Sequence, residues 1–533
     1  MRFQRTAALL GVALLYLALG PWVLLAALGG LLVPAVRDWL RPTWRVTVIV
    51  VAAVLALAGL VVVVPDGWLP VPPGPGAWVT PAYVGRPAAE HPIRTSVPQH
   101  PGLAPNGSSS VHGDAWASGT SPWSGPLGES PEVDTAWYGL EKCADLAADS
   151  HGRLVALCGD LHGPRLHVID ADSMRPLATK ELPDRPGGGA KPWGNGCGGA
   201  PFFLDDASRA VVATTDRHVL VVATDDAEGD PDLTTRASYD LTKQVPADDC
   251  LVALVPDREG RVWWVTRQGR VGTVGPAGDG GVLDLGEDVA NALAVDQDGT
   301  YVVTTHALYR LRATAGGRPA VTWRAGYDRG SERKSGQLSQ GSGTTPTVLP
   351  GGLVAITDNA DPRMHVQFYD TRSGDLVCQQ AVFGDDEGAT GSSLVSAGTG
   401  VVVENNHGYN SPLSTVLGRT TDAGVARVNV RVAPGHRGHC SLAWTSDQAV
   451  PSSVPTVSLA NGLLYAYTKQ HSWWGANAWY LTAIDVRNGR SVFSVRTGLG
   501  ALLDNDRAAV TIAKDGSAYI STLGGMVRVH DRD

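Results

Sequence analysis

The chain has 533 residues, 43% of them apolar, and its formal net charge is −9. This composition supports a sizeable core and excludes a largely disordered protein. The acidic balance and the lack of clustered Lys and Arg also exclude a nucleic-acid partner, because binding to phosphates requires a basic surface.

Two apolar stretches come first in the chain. Residues 7–36 and 46–64 contain no charged residue, and each is long enough to cross a hydrocarbon layer of roughly 30 Å as a helix. They predict a membrane anchor over residues 1–65 with two transmembrane helices, at about 7–36 and 44–65. A cleaved signal peptide is the alternative, but the apolar run continues through Val64, past the small residues at 56–58.

The connector between these stretches carries Arg37, Arg41 and Arg45 against a single Asp38. This excess of arginine favours a cytoplasmic connector, which places the rest of the chain on the extracytoplasmic side of the cell membrane. The location of all six cysteines beyond the apolar stretches suits an oxidising compartment. Pairing in chain order predicts the disulfides Cys143–Cys158, Cys197–Cys250 and Cys378–Cys440; other pairings, or unpaired core cysteines, are the alternatives.

Residues 66–134 have a different composition. They are rich in Pro, Gly and Ser and have no sustained hydrophobic period. Such a segment is typical of a flexible linker, extended where proline dominates. We therefore expect a linker that holds the following domain clear of the membrane.

From residue 135 to residue 533 one pattern recurs: a short apolar strand, a tight turn containing Asp, Gly or Asn, and a second apolar strand. Eight such turn segments begin at residues 149, 205, 257, 296, 349, 396, 459 and 513. Their spacing matches a four-stranded propeller blade with variable loops. The sequence predicts an all-β, eight-bladed β-propeller, with seven blades as the alternative if the short spacing between 257 and 296 hides a degenerate unit.

The last repeat ends after three strands, at the end of the chain. A propeller must close its ring, and the segment "TAWYGL" at residues 135–140 lies just ahead of the first repeat. We expect this segment to supply the fourth strand of the last blade.

Polar side chains cluster after the second strand of several repeats. In a propeller, these loops emerge on the same face as the connections between blades, so they are expected to surround one mouth of the channel. Carboxylate and amide oxygens there suit calcium or a polyhydroxylated ligand, whereas ordinary turn chemistry is the alternative. The candidate ligand-binding residues are Asp358, Asn359, Asp361, Glu404, Asn405, Asn406, His407, His306, Thr344 and Thr345.

The segments "YDTRSGDLV" (369–377) and "IDVRNGRSV" (484–492) resemble the turns of quinoprotein-type repeats, which occur in propellers that bind pyrroloquinoline quinone (PQQ). The run at 336–366, with "VVVENNHGY" at 401–409, is similar to a set of uncharacterised membrane-anchored propeller proteins of high-GC bacteria. The resemblance implies a propeller fold and no particular activity. A quinone-dependent dehydrogenase would also have neighbouring cysteines and a tryptophan at the docking position of each blade. No two cysteines are neighbours, and Cys378 and Phe493 occupy positions where such a tryptophan would be expected. Both observations argue against PQQ.

These patterns favour binding over catalysis. The leading hypothesis is a membrane-tethered, extracytoplasmic propeller that binds a small molecule or a protein at its polar loop face. The alternative is an enzyme, similar to a PQQ-dependent dehydrogenase or of lyase or hydrolase type, with a metal-assisted site at the same face. The sequence lacks the GxSxG motif of serine hydrolases.

Overall fold

A computed structural model describes residues 2–40, 44–95, 97–110, 112–139, 141–160, 163–183, 202–226, 228–391, 393–432 and 438–532. Four helices come first: α1 (Arg2–Leu19), α2 (Trp22–Gly30), α3 (Pro34–Leu40) and α4 (Trp44–Val63). Three strands precede the repeats: β1 (Tyr83–Gly85), β2 (Thr120–Ser121) and β3 (Pro131–Trp137).

Antiparallel sheets of four strands form the first four blades. Blade 1 contains β4 (Lys142–Ala148), β5 (Leu154–Gly159), β6 (Pro164–Ile169) and β7 (Pro176–Glu181). Blade 2 contains β8 (Phe203–Leu204), β9 (Ala210–Ala213), β10 (His218–Val222) and β11 (Thr235–Asp240). Blade 3 contains β12 (Leu251–Pro256), β13 (Val262–Thr266), β14 (Arg270–Val274) and β15 (Gly280–Asp284). Blade 4 contains β16 (Ala294–Val295), β17 (Thr300–Val303), β18 (Ala307–Ala313) and β19 (Pro319–Gly326).

The other four blades complete the ring. Blade 5 contains β20 (Thr347–Leu349), β21 (Leu353–Thr357), β22 (His365–Asp370) and β23 (Leu376–Ala381). Blade 6 contains β24 (Val395–Ser396), β25 (Gly400–Glu404), β26 (Val425–Arg431) and β27 (His439–Ser446). Blade 7 contains β28 (Thr456–Ser458), β29 (Leu463–Thr468), β30 (Ala478–Asp485) and β31 (Ser491–Leu499). Blade 8 contains β32 (Val510–Ile512), β33 (Ala518–Thr522) and β34 (Gly525–Asp531), with β3 as its outer strand.

The eight blades and the way the ring closes confirm the repeat analysis. Each predicted turn segment joins the first and second strands of one blade. Strand β3 pairs antiparallel with β34, so that Trp137 lies opposite Gly525. The first and last segments of the propeller are thereby joined in one sheet.

Local chemistry explains the turns of blades 1 to 3. In each of them an aspartate accepts a hydrogen bond from the backbone N–H of an arginine four residues later, at 2.8 to 3.0 Å. The guanidinium of the same arginine also donates to the carboxylate. Aspartate favours such turns because it satisfies the backbone of its own loop. The pairs are Asp149–Arg153, Asp205–Arg209 and Asp257–Arg261.

Two tryptophans join neighbouring blades at their outer edge. Trp323 of β19 donates its indole N–H to the carbonyl of Thr371, in the outer turn of blade 5, at 2.9 Å. Trp444 of β27 donates to the carbonyl of Val486, in the equivalent turn of blade 7, at 2.8 Å. Trp323 thus attaches blade 4 to blade 5, and Trp444 attaches blade 6 to blade 7. Cys378 and Phe493, the positions considered in the sequence, lie in blades 5 and 7.

A glycine in each of these turns makes room for the indole ring of the tryptophan. We expect Gly489→Ala to destabilise the protein more than Gly152→Ala. The φ angles are 73° and 77°, so alanine costs about 1–2 kcal/mol at either position. At Gly489 the new Cβ would lie 2.5 Å from the Trp444 ring, whereas nothing lies within 4 Å at Gly152.

The expected additional loss in the free energy of unfolding at Gly489 is roughly 1–3 kcal/mol, from overpacking. Chemical denaturation of both variants measures it. Equal losses in the two variants would show that the contact with Trp444 contributes nothing.

Two of the predicted disulfides are confirmed. Cys143–Cys158 joins adjacent strands of blade 1, and Cys378–Cys440 joins the outer strands of blades 5 and 6 across 62 residues. Cys197, the predicted partner of Cys250, lies outside the described residues.

The described residues between 66 and 134 pair and hydrogen-bond with the propeller, whereas their composition predicted a flexible linker. Strand β1 pairs with β31 at the outer edge of blade 7, and β2 pairs with β28 at its inner edge. Carbonyl groups between residues 115 and 119 accept hydrogen bonds from the innermost strands of blades 4 to 7. Residues 115–119 therefore lie in the central channel, where their carbonyls accept from N–H groups that the innermost strands would leave unpaired. The donors are Val295, Val348, Ser396 and Val457.

The N-terminal residues form shorter helices than predicted. Residues 7–36 are divided among α1, α2 and α3, with breaks at Gly20–Pro21 and ahead of Pro34. Proline disfavours a helical conformation in the residue before it, and Gly20 has a φ of 115°. Among the helices described, none is by itself both long and apolar enough to cross a bilayer. Helices α2 and α3 together have the necessary length and apolar composition, but they are bent by 98° relative to each other.

Candidate functional site

One face of the propeller carries the long connections, and we call it the loop face. It consists of residues 327–346, 358–364, 382–391, 405–424, 469–477 and 500–509. Asp358 directly follows β21, and Glu404 ends β25. Both residues therefore lie at this face on neighbouring blades, as the repeat pattern predicted.

Asp358 organises a cluster of side chains on blade 5. Its carboxylate accepts hydrogen bonds from the backbone N–H of His365 at 2.6 Å, from Nδ1 of His365 at 2.9 Å and from the amide of Gln367 at 3.2 Å. Gln367 also donates to Gln379 at 3.0 Å and accepts from the Tyr369 hydroxyl at 2.7 Å. Asp358 is buried, so the cluster holds these side chains in fixed orientations.

The His365 imidazole is the basic group of this cluster. The hydrogen bond to Asp358 raises the pKa of His365 above its usual value, despite an opposing effect of partial burial. The side chain keeps 24% of its surface exposed. His365 is therefore oriented by a carboxylate and still accessible from solvent.

The cluster lines an open cleft of about 420 Å³ between blades 4 and 5. Amide, imidazole, carboxylate and phenol groups predominate along its wall, so the cleft offers both donors and acceptors. The lining residues are Gly326, Tyr327, Asp328, Asp358, Ala360, His365, Gln367, Tyr369, Leu376 and Gln379.

Asn359 and Asp361 hold the neighbouring connection in place and do not line this cleft. The buried amide of Asn359 donates to the carbonyls of Arg329 and Glu332 at 2.8 and 2.9 Å. The exposed carboxylate of Asp361 accepts from the Ser331 backbone N–H at 2.8 Å. Both residues attach the connection 327–346 to blade 5.

Glu404 has a different environment from Asp358. It is fully buried, and neither carboxylate oxygen has a hydrogen-bond partner among the described residues. Burial raises the pKa of Glu404 to about 8, against smaller opposing effects of its own backbone N–H and of the nearby Thr390 hydroxyl, which itself donates to Asn406. This carboxyl group is therefore neutral when the folded protein is at neutral pH.

The residues after Glu404 make contacts typical of turns. The Asn405 side chain accepts from the backbone N–H groups of Ala389 and His407 at 3.1 and 3.0 Å. Asn406 accepts from the N–H of Gly391 at 2.9 Å and donates to the carbonyl of Val450 at 3.0 Å. For both asparagines, these contacts match the alternative interpretation of the sequence pattern, as turn residues.

The histidine next to these asparagines also has a partner within its own loop. His407 contacts Asp422 within the same loop, at 2.6 Å between Nδ1 and a carboxylate oxygen. It therefore lies apart from the blade 5 cluster.

The remaining candidates are also engaged in local contacts. The Nε2 atom of His306 accepts from Arg329 at 2.7 Å. Thr344 and Thr345 are buried, and their hydroxyls accept from the backbone N–H groups of Thr357 and Ala292 at 3.0 and 3.2 Å. None of the three lines the cleft.

A second polar cluster joins blade 8 to three other parts of the loop face. Asp504 accepts from the hydroxyls of Tyr409 and Thr415 at 2.9 and 2.7 Å. Asp506 accepts from Lys142 at 3.0 Å. Burial raises the pKa of Asp504 to about 6. For Asp506 burial acts in the same direction, but Lys142, Arg507 and Tyr409 together outweigh it and hold the pKa below its usual value.

Arg507 completes this second cluster. It donates to the carbonyls of Gly336 and Gly391 at 3.2 and 3.3 Å, and it lies 5.7 Å from the centre of the Tyr409 ring. Asp506 and Arg507 have φ angles of 38° and 73°, a conformation that costs free energy and persists only where surrounding contacts impose it. The cluster fixes the loops of blades 5, 6 and 8 to one another.

The acidic residues proposed as a calcium site are not brought together. Within the described ranges, no three His, Cys, Asp or Glu side chains are arranged to hold a metal ion. Asp358 is occupied by donors, Asp361 is exposed and Glu404 is buried among uncharged groups. This donor set does not fit a hard cation, which requires several oxygens converging on one point.

Three residues of the cleft were not among the candidates from the sequence. His365, Gln367 and Tyr369 alternate along β22, and a period of two places their side chains on one side of the strand. That signal was readable directly after the Asp358 segment. The cluster at residues 504–507 had no such signal, because its partners Lys142 and Tyr409 lie far away in the chain.

Fold and site together define an eight-bladed β-propeller with a polar cleft on its loop face. No protein-family model matches the sequence. An uncharacterised protein of Archaeoglobus fulgidus is 26% identical over 325 residues, which cover 54% of this chain and 63% of that protein. The match thus spans less than two thirds of the relative's length.

Three solved structures are similar to parts of this chain. BamB from Moraxella catarrhalis is 15% identical, covers 60% of this chain and 95% of its own, and has a TM-score of 0.32. A streptogramin B lyase is 9% identical, covers 76% of this chain and 98% of its own, and has a TM-score of 0.38. A functionally unknown protein from Desulfotomaculum acetoxidans is 11% identical, covers 63% of this chain and 95% of its own, and has a TM-score of 0.38. These similarities concern the fold alone.

Proposed function

We propose that this protein is a membrane-tethered, extracytoplasmic propeller that binds a polyhydroxylated ligand, such as a saccharide, in the cleft between blades 4 and 5. The observation that carries the proposal is the cluster of Asp358, His365 and Gln367. Its polar side chains are held in fixed orientations at the wall of an open cleft. A ligand with many hydroxyl groups needs donors and acceptors in such fixed positions.

The proposed location rests on separate observations. The disulfides Cys143–Cys158 and Cys378–Cys440 suit an oxidising compartment. The arginine-rich connector around residues 37–45 favours the cytoplasmic side. The uncharged stretch at residues 7–36 exposes leucines such as Leu14 and Leu25, which a bilayer would cover.

Acid–base catalysis of lyase or hydrolase type is the second candidate. It is favoured by the pairing of His365 with the buried carboxylate of Asp358, an arrangement that orients a general base. None of the ten described residues that line the cleft is Ser, Thr or Cys, so a covalent mechanism through those groups has no support there.

A saccharide array, followed by calorimetry with the best oligosaccharide, tests the proposal on the full-length protein in lipid nanodiscs. We expect Gln379→Met to weaken binding about tenfold, because it removes the amide but retains the volume of the side chain. Gln380→Met is the matched control, since the neighbouring residue does not line the cleft, and it should bind normally.

Failure to bind any saccharide, or equal affinity in both variants, would overturn the proposed ligand. Conversion of the bound saccharide, lost in His365→Gln, would instead establish the second candidate.

A further inference from the structure

Two tryptophans on the loop of blade 7 are unusually exposed. Trp473 and Trp474 lie in residues 469–477, which we call the blade 7 tip, and 87% and 52% of their surfaces are accessible. Neither belongs to the cleft between blades 4 and 5. A large exposed apolar patch generally marks a surface that another body covers.

The blade 7 tip is attached to the apolar N-terminal helices. The indole N–H of Trp22, in α2, donates to the carbonyl of Trp473 at 2.8 Å. A Cβ added at Gly475 would lie 2.8 Å from Pro21, so the two segments are in close contact. The tip therefore has a fixed position beside the start of α2.

The segment that follows the helices strengthens this attachment. The backbone N–H groups of Gly76 and Ala77 donate to the carbonyl of Leu17 at 2.8 and 3.1 Å, and Trp78 donates to that of Ala18 at 2.9 Å. The end of α1 is thereby fixed to a segment that continues into β1 at the edge of blade 7.

A neighbouring loop extends the apolar surface to blade 6. Leu413 and Leu417 are both exposed. Their loop is joined to the tip because the Gly418 N–H donates to the Asn477 side chain at 2.9 Å, and the Ser472 N–H donates to the Gly418 carbonyl at 2.8 Å. The two loops, each with exposed apolar side chains, are thus held next to each other beside α2.

The charge of this surface differs from that of the whole protein. Residues 410–420 and 469–477 contain no Asp or Glu, although the chain has a net charge of −9. Exposed Arg419 lies at the edge, where its guanidinium donates to the Leu413 carbonyl at 2.9 Å. An apolar surface bordered by a cation complements the lipid–water interface of an anionic membrane.

We propose that residues 412–419 and the blade 7 tip rest on the lipid–water interface, so that this part of the loop face lies against the membrane. The inference rests on the membrane tether of the proposed function. Tryptophan prefers this interface because its ring is apolar and its N–H needs a polar partner. A bilayer covers the helices and the tip together, because Trp22 and Trp473 are in direct contact.

Fluorine NMR on the full-length protein labelled with fluorotryptophan tests this docking. The protein is placed, one copy per disc, in nanodiscs of phosphatidylcholine and phosphatidylglycerol, with and without nitroxide-labelled lipid. Trp22→Phe, Trp473→Phe and Trp474→Phe assign the signals. We expect the nitroxide to broaden the signals of Trp22, Trp473 and Trp474 severalfold.

Trp123 is the internal control, because it lies near Lys514 in a turn on the opposite face, and its signal should stay sharp. Broadening of Trp22 alone would overturn docking of the tip while leaving the tether intact. Sharp signals for all three tryptophans would overturn both the docking and the tether.

Discussion

Replacing Glu404 with glutamine is expected to stabilise the protein at pH 9 by about 3–5 kcal/mol, and to change its stability at pH 5 by no more than about 1 kcal/mol. The carboxyl group is fully buried, and burial raises its pKa to about 8. At pH 9 the wild-type protein must therefore carry a buried negative charge to which no described residue forms a hydrogen bond of normal length. Glutamine has a similar shape and cannot ionise.

The sign of the pH dependence follows from the direction of the shift. The folded protein binds the Glu404 proton more tightly than the unfolded chain, whose pKa is near 4.5. The resulting stabilisation is fully present below that value and is lost as the pH rises through about 8. Urea denaturation of the wild type and of Glu404→Gln between pH 5 and pH 9 measures the difference. Glu129→Gln, at an exposed position, is the control, and a pH-independent difference for Glu404→Gln would contradict the argument.

Lys142→Met is expected to lower the free energy of unfolding at neutral pH by about 3–5 kcal/mol, because it leaves a buried carboxylate without its cation. The Lys142 ammonium donates to the Asp506 carboxylate at 3.0 Å. Asp506 also shares the Tyr409 hydroxyl with Asp504, so removal of the cation leaves two acidic groups close together. The contact joins the first strand of blade 1 to the connection between blades 7 and 8, next to the closure of the ring.

A second substitution separates this charge effect from lost packing. Adding Asp506→Asn to Lys142→Met should recover more than half of the lost stability, because the amide needs no cation. The pKa of Asp506 is held below its usual value, so the contribution of the pair is present above about pH 4 and is lost as the pH falls through the folded pKa. The deficit of Lys142→Met should therefore shrink in acid. Lys243→Met, at an exposed position, is the control; failure of the double variant to recover would assign the loss to packing.

Asp358 and Glu404 show what the sequence pattern could and could not predict about the candidate site. Both residues end a second strand and lead into a polar loop, so the pattern predicted the same role for each. In the structure Asp358 accepts from His365 and Gln367, whereas Glu404 has no such donors among the described residues. The difference arises from the partner strand: β22 presents His365 and Gln367 towards Asp358, whereas Val425 of β26 lies opposite Glu404. The alternation along β22 was readable in the sequence, but the choice of partner was not.

The sequence by itself determined the eight blades, the turn within each blade and the strand that closes the ring, because turns such as Asp149–Arg153 depend on residues only a few positions apart. The tertiary structure alone decided that residues 115–119 lie in the channel and that α2 contacts the blade 7 tip. It also decided that the Asp504–Arg507 connection binds Tyr409 and Lys142. The physical reason is that composition and periodicity report local preferences, whereas burial and hydrogen-bond partners depend on which distant segments the closed ring brings together.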